Sequence, residues 1–225
     1  MKNRLHRISL LFGDTAIQKI QKSTVMVVGC GAVGSFAIEA LARTGIGHLV
    51  LVDFDVVEES NINRQLFALD STIGIPKVEV AKQRVYDINP TIKVDVFNMF
   101  FDESTNISVM PDFVIDAIDT VPSKIALYKW CFDKNIPFIS SMGAARKTDV
   151  TKIKVDKISK TSVCPLASKI RHMVRELKMK DFPVVYSTEN AMPQNCVGRE
   201  YGSIITVTGA FGLFLSDYVI KKLLK

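Results

Sequence analysis

Short apolar runs alternating with amphipathic stretches set the rhythm of this chain. Residues 25–28, 48–52 and 113–118 are nearly continuous apolar segments, too short for buried helices, and read as strands covered on both faces. Between the first two, residues 35–43 carry Phe36, Ala37, Ala40 and Leu41 on one side, and Thr44-Gly45 ends that helix. Pro76 opens a second helix through Val78, Val80, Ala81 and Val85, which closes before Asn89-Pro90. A strand at 93–98, a helix at 123–134 started by Pro122 and a strand at 136–140 continue the alternation. Ahead of it all, residues 5–20 form two short helical pieces broken at Gly13-Asp14. Beyond Ala144 the pattern loosens. A strand at 150–155 is followed by a helix from Pro165, in which Leu166, Ile170, Met173, Val174 and Leu177 recur at helical spacing. Strands at 183–187 and 203–207 and a closing helix at 209–224 complete the chain. Strands alternating with helices predict the α/β class, with a mostly parallel sheet between helical layers.

The first strand runs straight into Gly29-Cys-Gly-Ala-Val-Gly34, a strand, tight turn and helix opening in eleven residues from Thr24. Gly29 permits the turn, Gly31 a close approach of phosphate to backbone, and Gly34 a helix set near the strand. Free N–H groups at that helix start can hold phosphate, so a nucleotide is expected. The fold is accordingly predicted to be a Rossmann-like, mostly parallel sheet flanked by helices, with a small C-terminal extension of strands and helices. The second strand ends at Asp53 and Asp55, where an acidic residue binds a ribose of either a dinucleotide or ATP. Two features favour the triphosphate. Asn61, Asn63, Arg64 and Gln65, then Lys77, follow that strand, and an Arg and a Lys converging on a ligand suit phosphates better than a redox ring. Asp116 and Asp119 end a later strand across the crevice, where a carboxylate can carry Mg²⁺. None of His6, His48 and His172 falls where hydride transfer needs an acid–base group.

With 225 residues, 48% of them apolar, the chain can fill one core. No membrane span is expected: the uncharged run from Ser203 to Ser216 is 14 residues long and contains Gly209 and Gly212. A charged N-terminus followed by a brief apolar stretch at 8–12 does not read as a secretory signal, so a cytoplasmic location is expected. Cys30, Cys131, Cys164 and Cys196 are scattered, form no Cys-x-x-Cys pair and are expected as free thiols. The net charge is +6, but residues 146–180 hold 11 Lys or Arg against three acids, which points to a polyanionic partner. Lys169, Arg171, Arg175 and Lys178, on the helix from Pro165, are the candidate phosphate contacts of a nucleic acid.

Taken together, Gly29-Cys-Gly-Ala-Val-Gly34, Asp53-x-Asp55, Asn61-x-x-Arg64-Gln65, Lys77 and Asp116-Ala-Ile-Asp119 resemble the adenylating superfamily of ubiquitin-activating enzymes and bacterial activators of sulfur-carrier proteins. Within it the chain is most similar to the tRNA threonylcarbamoyladenosine dehydratases. That likeness extends through Ser140-Ser-Met-Gly-Ala-Ala145, Asp149-Val-Thr, Lys160-Thr, Pro165-Leu-Ala and Ser187-Thr-Glu189. The resemblance implies an adenylation core at 1–145 with an N-terminal helical arm, and a basic substrate-binding part at 146–225 continuous with the same domain. It implies ATP-dependent cyclisation of threonylcarbamoyladenosine beside the tRNA anticodon, by adenylation of its carboxylate and ring closure with loss of water, AMP and pyrophosphate leaving. By the same resemblance, Gly29, Gly31, Gly34, Asp53, Asn61, Arg64, Gln65 and Lys77 bind ATP, and Asp119 holds Mg²⁺. Arg7, with Arg64, Lys77 and Asp119, is implied in catalysis, Arg7 reaching the neighbouring site of a homodimer. A K⁺ or Na⁺ site and a sulfur-transfer protein partner are further implications. The alternative is adenylation of the C-terminus of a ubiquitin-like sulfur-carrier protein, against which the absence of paired Cys-x-x-Cys motifs weighs.

Overall fold

Residues 3–193 and 201–225 are described by the computed structural model. Seven strands form one sheet in the order β3-β2-β1-β4-β5-β7-β6, where β1 is Thr24–Val28, β2 His48–Asp53, β3 Lys93–Asn98, β4 Phe113–Asp116, β5 Phe138–Ser141, β6 Ile153–Lys157 and β7 Pro183–Ser187. Every neighbouring pair is parallel except β6 with β7, which is antiparallel and closes one edge. The seven α-helices among the described residues are α1 His6–Phe12, α2 Asp14–Lys22, α3 Gly34–Thr44, α4 Lys77–Ile88, α5 Val121–Asp133, α6 Pro165–Glu176 and α7 Ile205–Leu223. The expected α/β alternation is therefore present, including the two short N-terminal helices.

Two apolar layers follow from the period of two along a strand. Val25 and Val27 of β1 face Ile38 and Leu41 of α3, Ala81 of α4 and Phe211 and Leu215 of α7 in one core. Met26 and Val28 point the other way, into a core with Leu127 of α5 and Ala167 and Ile170 of α6. Both faces of β1 are thus buried, which is why that segment reads as a continuous apolar run rather than an alternation.

Most boundaries fall within two residues of the sequence expectation, and three larger or telling departures have a physical cause. Residues 203–207 do not form a strand: α7 begins at Ile205 and buries Val207 and Thr208. The β-branched run Ile204-Ile-Thr-Val-Thr208 favours extended backbone, but packing of α7 on α3 and the sheet outweighs that propensity, which is worth only tenths of a kcal/mol (~0.7 at most) per residue. Residues 150–152 make a 3₁₀ turn, not strand, because Asp149 accepts the Thr151 N–H at 2.9 Å and delays β6 to Ile153. β4 stops at Asp116 rather than 118, since the Asp116 carboxylate accepts the Ile118 N–H at 3.0 Å and turns the chain.

Candidate active site

The strand order reverses between β1 and β4: β2 and β3 extend the sheet on one side of β1, while β5 and β7 extend it beyond β4. An open parallel sheet is cleft at such a point, beyond the carboxyl ends of its strands. Here that cleft has a volume of about 1070 Å³, room for a nucleoside triphosphate and part of a second reactant.

The glycine turn forms its floor. Gly29 has φ +94°, and a Cβ there would meet the Ala117 carbonyl oxygen at 2.6 Å, so only glycine lets the β4–α5 turn pack against it. At Gly34 a Cβ would stand 1.7 Å from the Gly29 carbonyl oxygen; its absence is what draws the start of α3 onto β1. Gly31 lines the cleft opposite the Gln65 amide. The loop after β2 is tied to α3 by the Leu66 N–H, which donates to Ser35 Oγ at 3.1 Å. That brings Asn61, Arg64 and Gln65 over the glycine turn.

Asp53 lines the cleft with both carboxylate oxygens engaged: Oδ2 accepts from the Cys30 N–H at 2.6 Å and Oδ1 from the Asp55 N–H at 2.9 Å. Burial pushes its pKa up, against the pull of those two bonds and of Lys77. Each oxygen keeps lone-pair capacity for a hydroxyl such as a ribose offers. Lys77 is buried except at the cleft, its Nζ 2.7 Å from the exposed Asp55 carboxylate. Arg64 is half-buried, with NH1 donating to the Ser60 carbonyl at 2.7 Å and to Asn63 Oδ1 at 2.8 Å. Cys30 is buried in the turn and its thiol pKa is raised well above the usual range by burial and by Asp53, which leaves it inert as a nucleophile.

Across the cleft the two acids of the β4–α5 motif part company. Asp119 is exposed on the cleft wall. Asp116 has no solvent exposure and is bonded to Lys124 at 2.7 Å, so it offers no carboxylate to the cleft and is not a metal-ligand candidate. Among the described residues no group of three His, Cys, Asp or Glu could cage a metal ion. A lone accessible carboxylate is nevertheless the protein contribution expected for Mg²⁺ carried on phosphate oxygens. The far wall runs along residues 141–147 and the start of α6, including Cys164 and Lys169.

The four cations assigned to nucleic acid do not share a face. Lys169 lines the cleft, whereas Arg171, Arg175 and Lys178 border a separate depression of about 310 Å³ with an apolar floor at Ile158, Val174 and Met179. Positions 169 and 171 lie on nearly opposite sides of a helix. Arg171 NH1 is further committed to Thr161, donating to its carbonyl at 2.8 Å and to Oγ1 at 2.6 Å. Arg7 is exposed on α1 and does not line the cleft of its own chain.

Sequence reasoning missed two features of the site. Phe54 and Phe100, after β2 and β3, form an exposed edge-to-face pair at the cleft mouth, ring centroids 5.0 Å apart. Lys124 and Tyr128 lie wholly buried behind Asp119; a lysine followed at once by the apolar run Ile125-Ala-Leu127, eight residues beyond Asp116, was the available signal. The free cysteines Cys30, Cys131 and Cys164 are all buried, and Cys196 lies outside the described residues. No helix among the described residues is long and apolar enough to cross a membrane.

A glycine turn, a ribose-type acid, phosphate-handling cations and a free carboxylate at one switch point define a nucleotide-binding α/β protein of the adenylate-forming kind. The ThiF family sequence model matches residues 3–225, and the chain belongs to that family. It is 41% identical, over an alignment 244 positions long, to the tRNA threonylcarbamoyladenosine dehydratase of Bacillus subtilis, covering 100% of this chain and 96% of that protein. The crystal structure of Escherichia coli tRNA N6-threonylcarbamoyladenosine dehydratase in complex with ATP superposes with a TM-score of 0.91 at 36% identity, over 98% of this chain and 93% of that one. The molybdopterin-synthase adenylyltransferase of Haemophilus influenzae is 38% identical over only 130 residues, 57% of this chain.

Proposed function

We propose that this protein is an ATP-dependent tRNA threonylcarbamoyladenosine dehydratase. The observation that carries the reading is the convergence of the glycine turn, Asp53, Arg64, Lys77 and Asp119 on one cleft at the β1–β4 switch point. The near full-length likeness to dehydratases, including one solved with ATP, supports it over the carrier-activating alternative, whose relatives align with little more than half of the chain.

On this reading the ribose of ATP sits against Asp53 and the phosphates lie over the glycine turn. Lys77 and Arg64 exchange their present partners for phosphate oxygens, neutralising charge as it shifts toward the leaving pyrophosphate. Asn61 and Gln65 orient the phosphate chain from the loop above. Asp119 would hold Mg²⁺ together with the phosphates; the ion supplies charge stabilisation at the phosphoryl oxygens. The threonylcarbamoyl carboxylate attacks the α-phosphate, pyrophosphate leaves, and the carbamoyl nitrogen then attacks the activated carbonyl, closing the ring as AMP departs. Net loss is one water. Ring closure is intramolecular and needs little further ordering, while bulk water, which would compete for the activated carbonyl, must be kept out.

The tRNA would approach over Lys169, on the cleft side of α6. Arg171, Arg175 and Lys178 lie on another surface and would contact phosphates farther along the RNA. Helix α1 exposes Leu10, Leu11 and Phe12 and carries Arg7 away from its own cleft, which supports a homodimer in which Arg7 serves the neighbouring site. K⁺ or Na⁺, a sulfur-transfer protein partner, a cytoplasmic location and a division of labour between residues 1–145 and 146–225 belong to the same reading.

The test is direct. Protein, MgATP and tRNA bearing threonylcarbamoyladenosine should yield AMP, pyrophosphate and a nucleoside lighter by one water. Asp119→Asn should abolish the conversion without lowering the melting temperature, because the side chain is exposed. Parental turnover in that variant would remove Asp119 from the mechanism, and pyrophosphate exchange driven by a carrier protein alone would restore the alternative.

A further inference from the structure

Behind the Asp119 wall, four polar side chains from three elements meet with no solvent exposure: Asp116 at the end of β4, Lys124 and Tyr128 on α5, and Ser140 on β5. Lys124 Nζ donates to Asp116 Oδ2 at 2.7 Å, to the Ser141 carbonyl at 2.8 Å and to Ser140 Oγ at 3.3 Å, which occupies all three ammonium protons. Asp116 Oδ2 also accepts from Ser140 Oγ at 2.5 Å and from the Tyr128 hydroxyl at 3.0 Å, and the two hydroxyls are 2.7 Å apart. Asp116 Oδ1 takes the Ile118 N–H. Every polar atom of the ion pair is satisfied.

Stability alone does not account for such a cluster, since a buried ion pair is commonly matched or bettered by apolar residues of the same volume. What the cluster does is join two walls of the cleft. Its bond to Ile118 shapes the turn that ends in Asp119, and its bond to the Ser141 carbonyl holds the end of β5, from which residues 142–147 form the opposite wall. On its other side the same turn is pressed against the glycine turn, with the Ala117 N–H donating to the Val28 carbonyl at 2.8 Å and the Ala117 carbonyl filling the space a Gly29 side chain would need.

We propose that Asp116, Lys124, Tyr128 and Ser140 are positioning residues that set the distance between Asp119 and the opposite cleft wall at 142–147, and so govern the rate of the chemical steps rather than the affinity for ATP. ATP affinity arises from the glycine turn, from Asp53 at the end of β2 and from Arg64 and Lys77 beyond it, and the quartet touches none of these three side chains. The inference rests on the reading of Asp119 given above.

Tyr128→Phe removes one hydroxyl and keeps the volume; Lys124→Met combined with Asp116→Asn removes the charge pair together. Each is compared with the parent and with Asp119→Asn for ATP affinity by calorimetry, and for kcat and KM with modified tRNA. Both quartet variants should lose kcat by about ten- to a hundredfold, the range a misplacement of about 1 Å costs, with ATP affinity and KM for tRNA unchanged within about twofold. Parental kcat in Tyr128→Phe while Asp119→Asn is inactive would overturn the inference and leave the role of Asp119 standing. A parallel fall of kcat, ATP affinity and melting temperature would also overturn it, reducing the quartet to a structural part. An active Asp119→Asn would instead remove the underlying reading. Should the double variant fail to fold, Tyr128→Phe decides alone.

Discussion

Replacing Gly29 and Gly74 by alanine separates backbone strain from steric coupling. Both have left-handed backbone, φ +94° and +82°. At Gly74 a Cβ would meet nothing within 4 Å, whereas at Gly29 it would lie 2.6 Å from Ala117 O, 2.8 Å from Ala117 C and 3.1 Å from Ile118 N. Strain costs each variant about 1–2 kcal/mol. Alanine returns about 0.4–1 kcal/mol by restricting the unfolded chain, so Gly74→Ala should lose only about 1 kcal/mol. Gly29→Ala adds the overlap. The atoms it strikes are backbone, which cannot rotate aside, and overpacking of this kind costs about 1–3 kcal/mol more. The displaced segment is the turn that carries Asp119, so function should fall with it. Urea unfolding midpoints, with the m-value checked for constancy, give the stability difference, and AMP release in the presence of modified tRNA gives the functional one. Gly74→Ala should retain parental turnover and Gly29→Ala should lose more than about tenfold, as a displaced catalytic group does. Equal midpoints for the two variants, or normal turnover by Gly29→Ala, would refute the claim that the glycine turn and the Asp119 turn are packed as one unit.

Other outcomes follow from the same geometry. Mixing Arg7→Ala with Asp119→Asn subunits should regenerate about a quarter of parental activity per site under random pairing, because one site of each mixed dimer regains both groups; no recovery after subunit exchange would place Arg7 outside the neighbouring site. Glu39 on α3 accepts from Arg43 Nε at 2.7 Å and from Arg84 on α4 at 3.0 and 2.9 Å. Burial alone would raise its pKa, but the Arg84 and Arg43 bonds prevail and hold it below the ordinary glutamate value. A depressed acid stabilises the fold above its unfolded pKa and loses that contribution as pH falls through the folded one. The melting-temperature gap between parent and Glu39→Gln should therefore be full at neutral pH and close on acidification below the glutamate range; a gap independent of pH would contradict the assignment. Lys169→Ala should weaken tRNA binding and reduce its salt dependence by about one ion without affecting stability. Arg171→Ala should also lower the melting temperature, since it breaks the tie to Thr161. Equal melting for these two would deny Arg171 its structural role.

Much of this molecule was legible as local pattern. Period-two and period-3.6 spacing report which residues are buried, and β1, α3 and α6 each have one apolar side or two, so their type and place followed from the chain itself. The glycine turn was equally readable, because its demand is a local backbone conformation that other residues resist. The strand expected at 203–207 failed for the opposite reason: β-branched propensity is weak, and contacts with α3, remote in sequence, overruled it.

What the chain alone could not settle was the partner each charged group would find. Asp116 and Asp119 are three residues apart and chemically identical; one faces the cleft and the other is consumed by Lys124, Tyr128 and Ser140, which arrive from α5 and β5. Lys169 and Arg171 belong to one basic run, yet helical geometry sends them to different surfaces. Residue type and spacing determined the fold class, the nucleotide turn and the set of candidate charges. Only long-range packing decided which charges are exposed at the cleft and which are buried behind it, because desolvation and pairing depend on atoms brought close by the fold rather than by the sequence.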